Sequence, residues 1–346
     1  MRRLFGIVAA GSVLVVSYVP GASPVAADRV YTQADFAPMA EEMMREGDAC
    51  LYVQQGASLV GEWYGNGFSS ATQHSVMSFT KSLTATLVGI AQDRKFLKTT
   101  DKVSKYVPSW RKGPSKNITI ENVLSMTTGR SDIGYGFLMG NRQYATQQSQ
   151  VAPPGTQWAY NSSAVQVLEL VLAKATQQSF SKFAKKNLFD PLGISGVLKT
   201  DFAGIPGLFI GWQATCSDAA RIVELYLNGG VYKGRRVVSR AFVERALSPS
   251  STLNQGYGWL WWLNRSGTVM NIGESPRQGK LMQAWPEETF WMQGVCHQFA
   301  VGVPSSKLIV VRLRANCWGA QAIATEQSTK TPTVNFVRLL GAVLSS

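Results

Sequence analysis

"HSVMSFTKSLTATLVG", from His74 to Gly89, sets Ser78 and Lys81 in an S-x-x-K frame at the head of an apolar run. Leu83, Leu87 and Ile90 follow at helical spacing, which predicts a helix opened by Ser78 and running to about Asp93. Residues three apart on a helix share a face, so Ser78 and Lys81 would be neighbours. At a helix start, unpaired backbone N–H groups and the positive end of the helix surround the first side chain and favour an oxyanion there. A lysine one turn deeper in an apolar segment loses water, and its pKa falls. Once neutral, it can take the serine proton and make the hydroxyl a nucleophile. S-x-x-K spacing recurs elsewhere in the chain, notably in "SFSK" at Ser179–Lys182. There Phe180, Phe183 and Leu188 fall on one face and Lys182, Lys185 and Lys186 on the other, the pattern of a surface helix with a solvated lysine face. The four letters alone do not separate the two sites; the surrounding sequence must.

Upstream, "CLYVQQGASLVGEWYG" (Cys50–Gly65) alternates apolar and polar residues about Gly56-Ala57-Ser58 and predicts a β-hairpin. The middle is helical in pattern: "TIENVLSMTTG", "SSAVQVLELVLAKATQ", "FSKFAKKNLFDPLG" and "TCSDAARIVELYLNGG", with "FDPLG" and "LNGG" as helix stops. Strand pattern returns in "TFWMQGVCHQFAVGV", a turn at Pro304-Ser305-Ser306, and "LIVVRLRA". Strands at both ends and helices between predict one sheet assembled from the two termini, with an inserted helical lobe and a cleft between. The expected fold is therefore α/β (α+β): a single domain over residues 28–346. Its α/β lobe would span about 28–95 and 230–346, and its helical lobe about 96–229.

The chain has 346 residues, 45% hydrophobic and 16% charged, an ordinary globular composition. Its first 27 residues read as a cleavable export signal: Arg2 and Arg3, an apolar run from Leu4 to Val19, and the small-residue site Val25-Ala26-Ala27. The run is shorter than the roughly 20 residues that span a bilayer. No cysteine follows the site to carry a lipid, so the expected location is secreted or periplasmic, without a stable membrane anchor. The net charge is +13; removing the two arginines of the leader leaves 13 − 2 = +11. No dense Lys/Arg run accompanies that charge, "KGRRVVSR" at Lys233–Arg240 being the nearest, and nucleic acid is not an expected partner. Only His74 and His297 are histidines, no H-E-x-x-H occurs, and the four cysteines lack zinc-type spacing, so no metal or other cofactor is expected. The absence of G-x-S-x-G also disfavours a Ser-His-Asp triad.

"SFTKSLTATLVGIAQDRKFLKTTDKVSKYVPSW" followed by "ITIENVLSMTTG" resembles the superfamily of serine β-lactamases, penicillin-binding proteins and related esterases, most nearly its class C branch. "PPGTQWAYNSSAVQVLELVLAKAT" resembles the segment that bears that family's tyrosine. "FDPLGI", "ATCSDAARIVELYLNGGVYKGRRVVS" and "MQGVCHQFAVGVPSSKLIVVRL" continue the likeness in order, over about residues 45–315. The resemblance implies an antiparallel sheet flanked by helices. It implies Ser78 as nucleophile, Lys81 as its base partner and Tyr160 as a second acid/base, whose phenolate an adjacent ammonium would stabilise. It also implies that the backbone N–H groups of Ser78 and Gln298 form the oxyanion hole.

Two departures direct the reading of substrate. On the strand that edges the cleft, β-lactamases carry K-T-G, peptidases often H-T-G and esterase-like members G-h-x-G-Q; this chain reads Gly294-Val295-Cys296-His297-Gln298. Val295 offers no cation for a penicillin carboxylate. His297 stands where glycine is usual and either assists substrate binding or lines a wet cleft. Tyr160-Asn161-Ser162 gives Y-x-S, with Ser162 in place of the β-lactamase asparagine; that pairing is similar to 6-aminohexanoate-dimer hydrolases and carboxylesterases. The expected activity is hydrolysis of a small or oligomeric ester or linear amide. A D-alanyl-D-alanine carboxypeptidase or β-lactamase, and a non-catalytic ligand-binding relative, are the alternatives. Tyr135 and Tyr144, in the loop "RSDIGYGFLMGNRQYATQQSQ", are candidates to touch substrate. By the family fold, which sets the first strand antiparallel to the last, the expected disulfides are Cys50–Cys317 and Cys216–Cys296, with Cys296–Cys317 the rival.

Overall fold

The computed structural model describes residues 29–132, 140–315 and 331–346. The expected leader, Tyr135 and Cys317 lie outside the described residues. The principal elements are α1 (Gln33–Arg45), β1 (Asp48–Gln55), β2 (Ser58–Tyr64), α2 (Phe79–Asp93), α3 (Ser162–Thr176), α4 (Cys216–Leu227), β3 (Trp262–Leu263), β4 (Phe290–Gly294), β5 (Gln298–Val303), β6 (Leu308–Arg314) and α5 (Thr331–Ser345).

The strands form one antiparallel sheet in the order β2-β1-β6-β5-β4-β3. The N-terminal hairpin docks β1 along β6, Val53 opposite Val310, so the two ends of the chain build one sheet. The residues of β5 and all but the last of β6 are buried. Such continuous burial requires cover on both faces. α4 lies across β1, β5 and β6, while α1 packs on β1, β2 and α5.

Three features differ from the sequence reading. The helix Cys216–Leu227, assigned to the helical lobe, lies on the sheet, because its buried stripe of Ala219, Ala220, Ile222, Val223 and Tyr226 is matched to the sheet's apolar face. The disulfide is Cys50–Cys216, which replaces both Cys50–Cys317 and Cys216–Cys296. Leu313 is the residue opposite Cys50 across the β1–β6 pair, while the Cys50 sulfur turns to the helix-covered face and meets the first residue of α4. Finally, "TFWMQGVCHQFAVGV" is two strands: Val295–His297 is a tight turn that joins β4 to β5. Cys296 and His297 adopt φ of 64° and 59° there, left-handed values that neither residue type signals in sequence.

α2 runs through the centre of the molecule, with every residue from Phe79 to Ala91 buried. Its polar side chains are satisfied internally. Thr80 donates to the Met77 carbonyl at 2.7 Å, Ser82 to the Leu260 carbonyl at 2.6 Å, and Thr84 to the Leu208 carbonyl at 3.0 Å. The segment before α2 is fixed by a small sheet in which His74–Ser75 pairs with Trp212–Ala214, itself paired with Val197–Leu198. Among the described residues no helix is long and apolar enough to cross a membrane.

Candidate active site

Ser78 occupies the N-cap position of α2, and its neighbour Met77 holds a φ of 50°. A left-handed non-glycine residue is a strained one, and surrounding contacts must hold it. They come from three sides. The Val76 N–H donates to the Trp212 carbonyl at 3.2 Å. The Gln298 carboxamide donates to the Ser75 carbonyl at 3.1 Å. Cys296 and Val295 pack on the Met77 side chain. The hydroxyl of Ser78 is thereby presented at the head of a rigid helix while only 7% of the residue is exposed.

Lys81 is 1% exposed, and its Nζ donates to Ser78 Oγ at 2.8 Å and to the Phe209 carbonyl at 3.1 Å. Burial pushes its pKa down to about 7, against a smaller upward pull from Asp132. Close to half of such lysines are neutral at pH 7, with a lone pair able to accept the Ser78 proton. The second S-x-x-K behaves otherwise. Ser179 caps a short helix, accepting from the Lys182 backbone N–H at 3.3 Å, and Lys182 is exposed.

Tyr160 approaches from the helical lobe. Lys81 Nζ lies 4.8 Å from the centre of its ring and 5.7 Å from that of Phe209. The ring stacks on Trp262 at 5.8 Å and meets the edge of Tyr257 at 6.2 Å, so an aromatic wall sets its position. The Tyr257 phenol, enclosed in that wall, is pushed well above its ordinary pKa by burial and then by Tyr160, and stays neutral. The backbone before α3 is pinned by Ala159, whose N–H donates to the Met126 carbonyl at 3.0 Å. Asn161 caps α3, accepting from the Ala164 N–H at 2.7 Å and donating to the Arg130 carbonyl at 2.8 Å.

The structure thus brings Ser78, Lys81 and Tyr160 together from sequence positions up to 82 residues apart (160 − 78). Ser162, the first residue of α3, is 7% exposed and donates its N–H to Asp132 Oδ2 at 3.1 Å. Gly294 ends β4 against the segment that precedes Ser78: a Cβ there would lie 2.7 Å from the Val76 oxygen and 3.1 Å from Met77 Cβ, so only glycine permits the approach. Gln298 is wholly buried, and its carboxamide also donates to the Arg314 carbonyl and accepts from the Arg314 N–H, bracing β5 to β6. The His297 ring is buried and bonds through Nδ1 to the Thr333 hydroxyl on α5. Tyr144 is 1% exposed, and its ring packs tilted on that of Phe209, centroids 5.1 Å apart.

Sequence reasoning passed over Asp132. Its carboxylate accepts from the Ser162 N–H and the Ser163 hydroxyl at the start of α3, where the helix end favours a negative charge, and its field reaches Lys81. An isolated acid in the polar loop "RSDIGYG" carries no local pattern that would have found it. The Phe209 carbonyl was equally invisible, since a backbone acceptor leaves no side-chain signature.

Comparison with known proteins places the chain in a family. The family described as Beta-lactamase matches residues 33–314. The 6-aminohexanoate-dimer hydrolase of Paenarthrobacter ureafaciens is 26% identical over 271 residues, covering 65% of this chain and 67% of that one. Of other curated relatives the chain spans about half the length or less. Among solved structures, a family VIII carboxylesterase superposes with a TM-score of 0.66 at 14% identity, over 91% of this chain and 99% of the other. A penicillin-binding protein from Bacillus halodurans gives 0.63 at 15% identity, over 84% and 99%.

Proposed function

The chain belongs to the beta-lactamase family, and on that premise we propose that it is an exported serine hydrolase that cleaves an ester or linear amide through an acyl-enzyme on Ser78. The observation that carries this reading is the contact between a fully buried Lys81 amine and the Ser78 hydroxyl, 2.8 Å, at the start of a buried helix.

In the proposed reaction, neutral Lys81 takes the Ser78 proton as Oγ attacks the substrate carbonyl. The negative oxygen of the tetrahedral intermediate is received by backbone N–H groups: that of Ser78, at the positive end of α2, and one from the Gly294–Gln298 turn, Gln298 in the family pattern. Tyr160 gives its proton to the leaving alcohol or amine as the carbon–heteroatom bond breaks, and takes the proton held by the Lys81 ammonium, which returns Lys81 to its neutral form. Water, deprotonated by the same pair, then attacks the ester on Ser78; the bond to Oγ breaks, Oγ regains the proton, and the acid is released. Ser162 and Gly294 line the substrate's path.

An ester or linear amide is favoured over a β-lactam because the turn offers only Val295 where a cation would meet a carboxylate, and Asp132 adds a negative charge nearby. The name of the Paenarthrobacter relative supports the linear amide. Export is supported by the Cys50–Cys216 disulfide, which persists in an oxidising compartment.

Labelling the purified protein with a fluorophosphonate and with a fluorescent penicillin tests this. The proposal expects an adduct on Ser78 from the first alone. Labelling by both reagents would move the substrate to the cell-wall class, and no adduct from either would remove the catalytic assignment.

A further inference from the structure

The Val295–His297 turn is held in an unfavourable shape. Two consecutive non-glycine residues, Cys296 and His297, have left-handed backbones at φ 64° and 59°. Each costs on the order of 1 kcal/mol relative to an ordinary conformation. The β4–β5 hairpin favours two left-handed residues at its tip, and contacts to neighbouring elements offset the cost of placing non-glycine residues there. On the cleft side, Gly294 and Cys296 rest on Val76 and Met77, the residues before the nucleophile. The turn is also tied to α5, where His297 Nδ1 is bonded to Thr333 Oγ1 in the first turn of that helix.

α5 is firmly mounted. Phe336 stacks on Phe299 of β5 at 4.9 Å, the Trp285 indole donates to the Val337 carbonyl at 3.1 Å, and Asn335 donates to Glu46 at 2.6 Å. His297 is 6% exposed, and burial, with the charges of Arg312 and Arg314, holds its pKa down to about 3. The ring is therefore neutral throughout any working range, which suits a fixed hydrogen-bonding partner and not a proton carrier.

We propose that the His297–Thr333 contact is a strut that fixes the Val295–His297 turn in place beside the nucleophile segment, and that His297 is a positioning residue for acyl transfer, not a group that touches substrate. The proposal rests on the Ser78 acyl-enzyme reading. It accounts for an imidazole at a place where the family pattern has glycine: glycine would suit the left-handed backbone better, but it could not reach α5.

The test uses the full chain, a p-nitrophenyl ester as substrate, and the variants Thr333→Val, Thr333→Ser and His297→Ala, each checked for wild-type circular dichroism. Thr333→Val should lower kcat about tenfold with KM changed less than about twofold, the scale expected when a reacting group is displaced by a fraction of an ångström. Thr333→Ser, which keeps the hydroxyl, should restore the rate. The double variant His297→Ala/Thr333→Val should be no slower than His297→Ala, since both remove one interaction. The pH midpoints of kcat should not move. The strut is wrong if Thr333→Val keeps the wild-type kcat, if His297→Ala raises KM alone, or if His297→Ala deletes a limb of the pH profile. Should His297→Ala fail to fold, the Thr333 pair decides. Ser78→Ala separates the two claims. If it keeps the wild-type rate, the acyl-enzyme reading falls and the positioning role with it; if it is inactive while Thr333→Val is unimpaired, only the strut falls.

Discussion

Replacing Lys81 by methionine should stabilise the protein while abolishing its activity. In the fold the Lys81 pKa drops from 10.5 to about 7 through burial. That difference of 3.5 units, at roughly 1.4 kcal/mol per unit, makes the buried amine cost about 5 kcal/mol at pH values below 7. The sign follows from proton counting. Between pH 7 and 10.5 the unfolded chain binds the lysine proton and the folded one does not, so wild-type stability rises with pH across that window. Above 10.5 the penalty is gone; below 7 it is constant. Methionine removes the penalty and fills a similar volume, but it forfeits the hydrogen bonds to Ser78 and to the Phe209 carbonyl, about 1 kcal/mol each. The expected net gain is about 2–3 kcal/mol at pH 7, shrinking towards pH 10. Urea denaturation of wild type and Lys81→Met at pH 6, 7, 8, 9 and 10 would measure it. A Lys81→Met protein less stable than wild type at pH 7, or a stability difference that does not narrow as pH rises, would overturn this expectation.

Other perturbations probe the surroundings. Asp132→Asn removes the charge that raises the Lys81 pKa, so the acid limb of a kcat/KM pH profile, expected near pH 7 in wild type, should move to lower pH. Gly294→Ala places a methyl 2.7 Å from the Val76 oxygen; kcat should fall about tenfold or more in steady-state ester hydrolysis while the protein stays folded. Replacing Cys50 and Cys216 by alanine opens a loop whose ends are 166 residues apart and should lower the unfolding free energy by about 3–5 kcal/mol in non-reducing urea titrations.

The hairpin at Cys50–Gly65, the helix behind Ser78 and the return strands are patterned by side-chain alternation or helical spacing, which the folded chain keeps. The difference between the S-x-x-K at Ser78 and that at Ser179 was legible because Phe180, Phe183 and Leu188 segregate from the lysines, whereas the run after Ser78 is buried on every side. What escaped the sequence depends on which faces meet. Cys50 joins Cys216 because α4 lies over β1, and no local spacing encodes that docking. The break between β4 and β5 escaped because Cys296 and His297 take backbone shapes normally signalled by glycine or asparagine. His297 gave no hint of its partner, since Thr333 lies 36 residues on, in another layer.

The central claim is that Ser78 becomes acylated by substrate. Mixing the protein with excess p-nitrophenyl ester, quenching in acid within the first turnover, and mapping peptides by mass spectrometry tests it most directly. A burst of p-nitrophenol and an acyl group on the peptide that carries Ser78 are expected, both lost in Ser78→Ala. Turnover with no acyl group on Ser78, or an acyl group on any other residue that persists in Ser78→Ala, would contradict it.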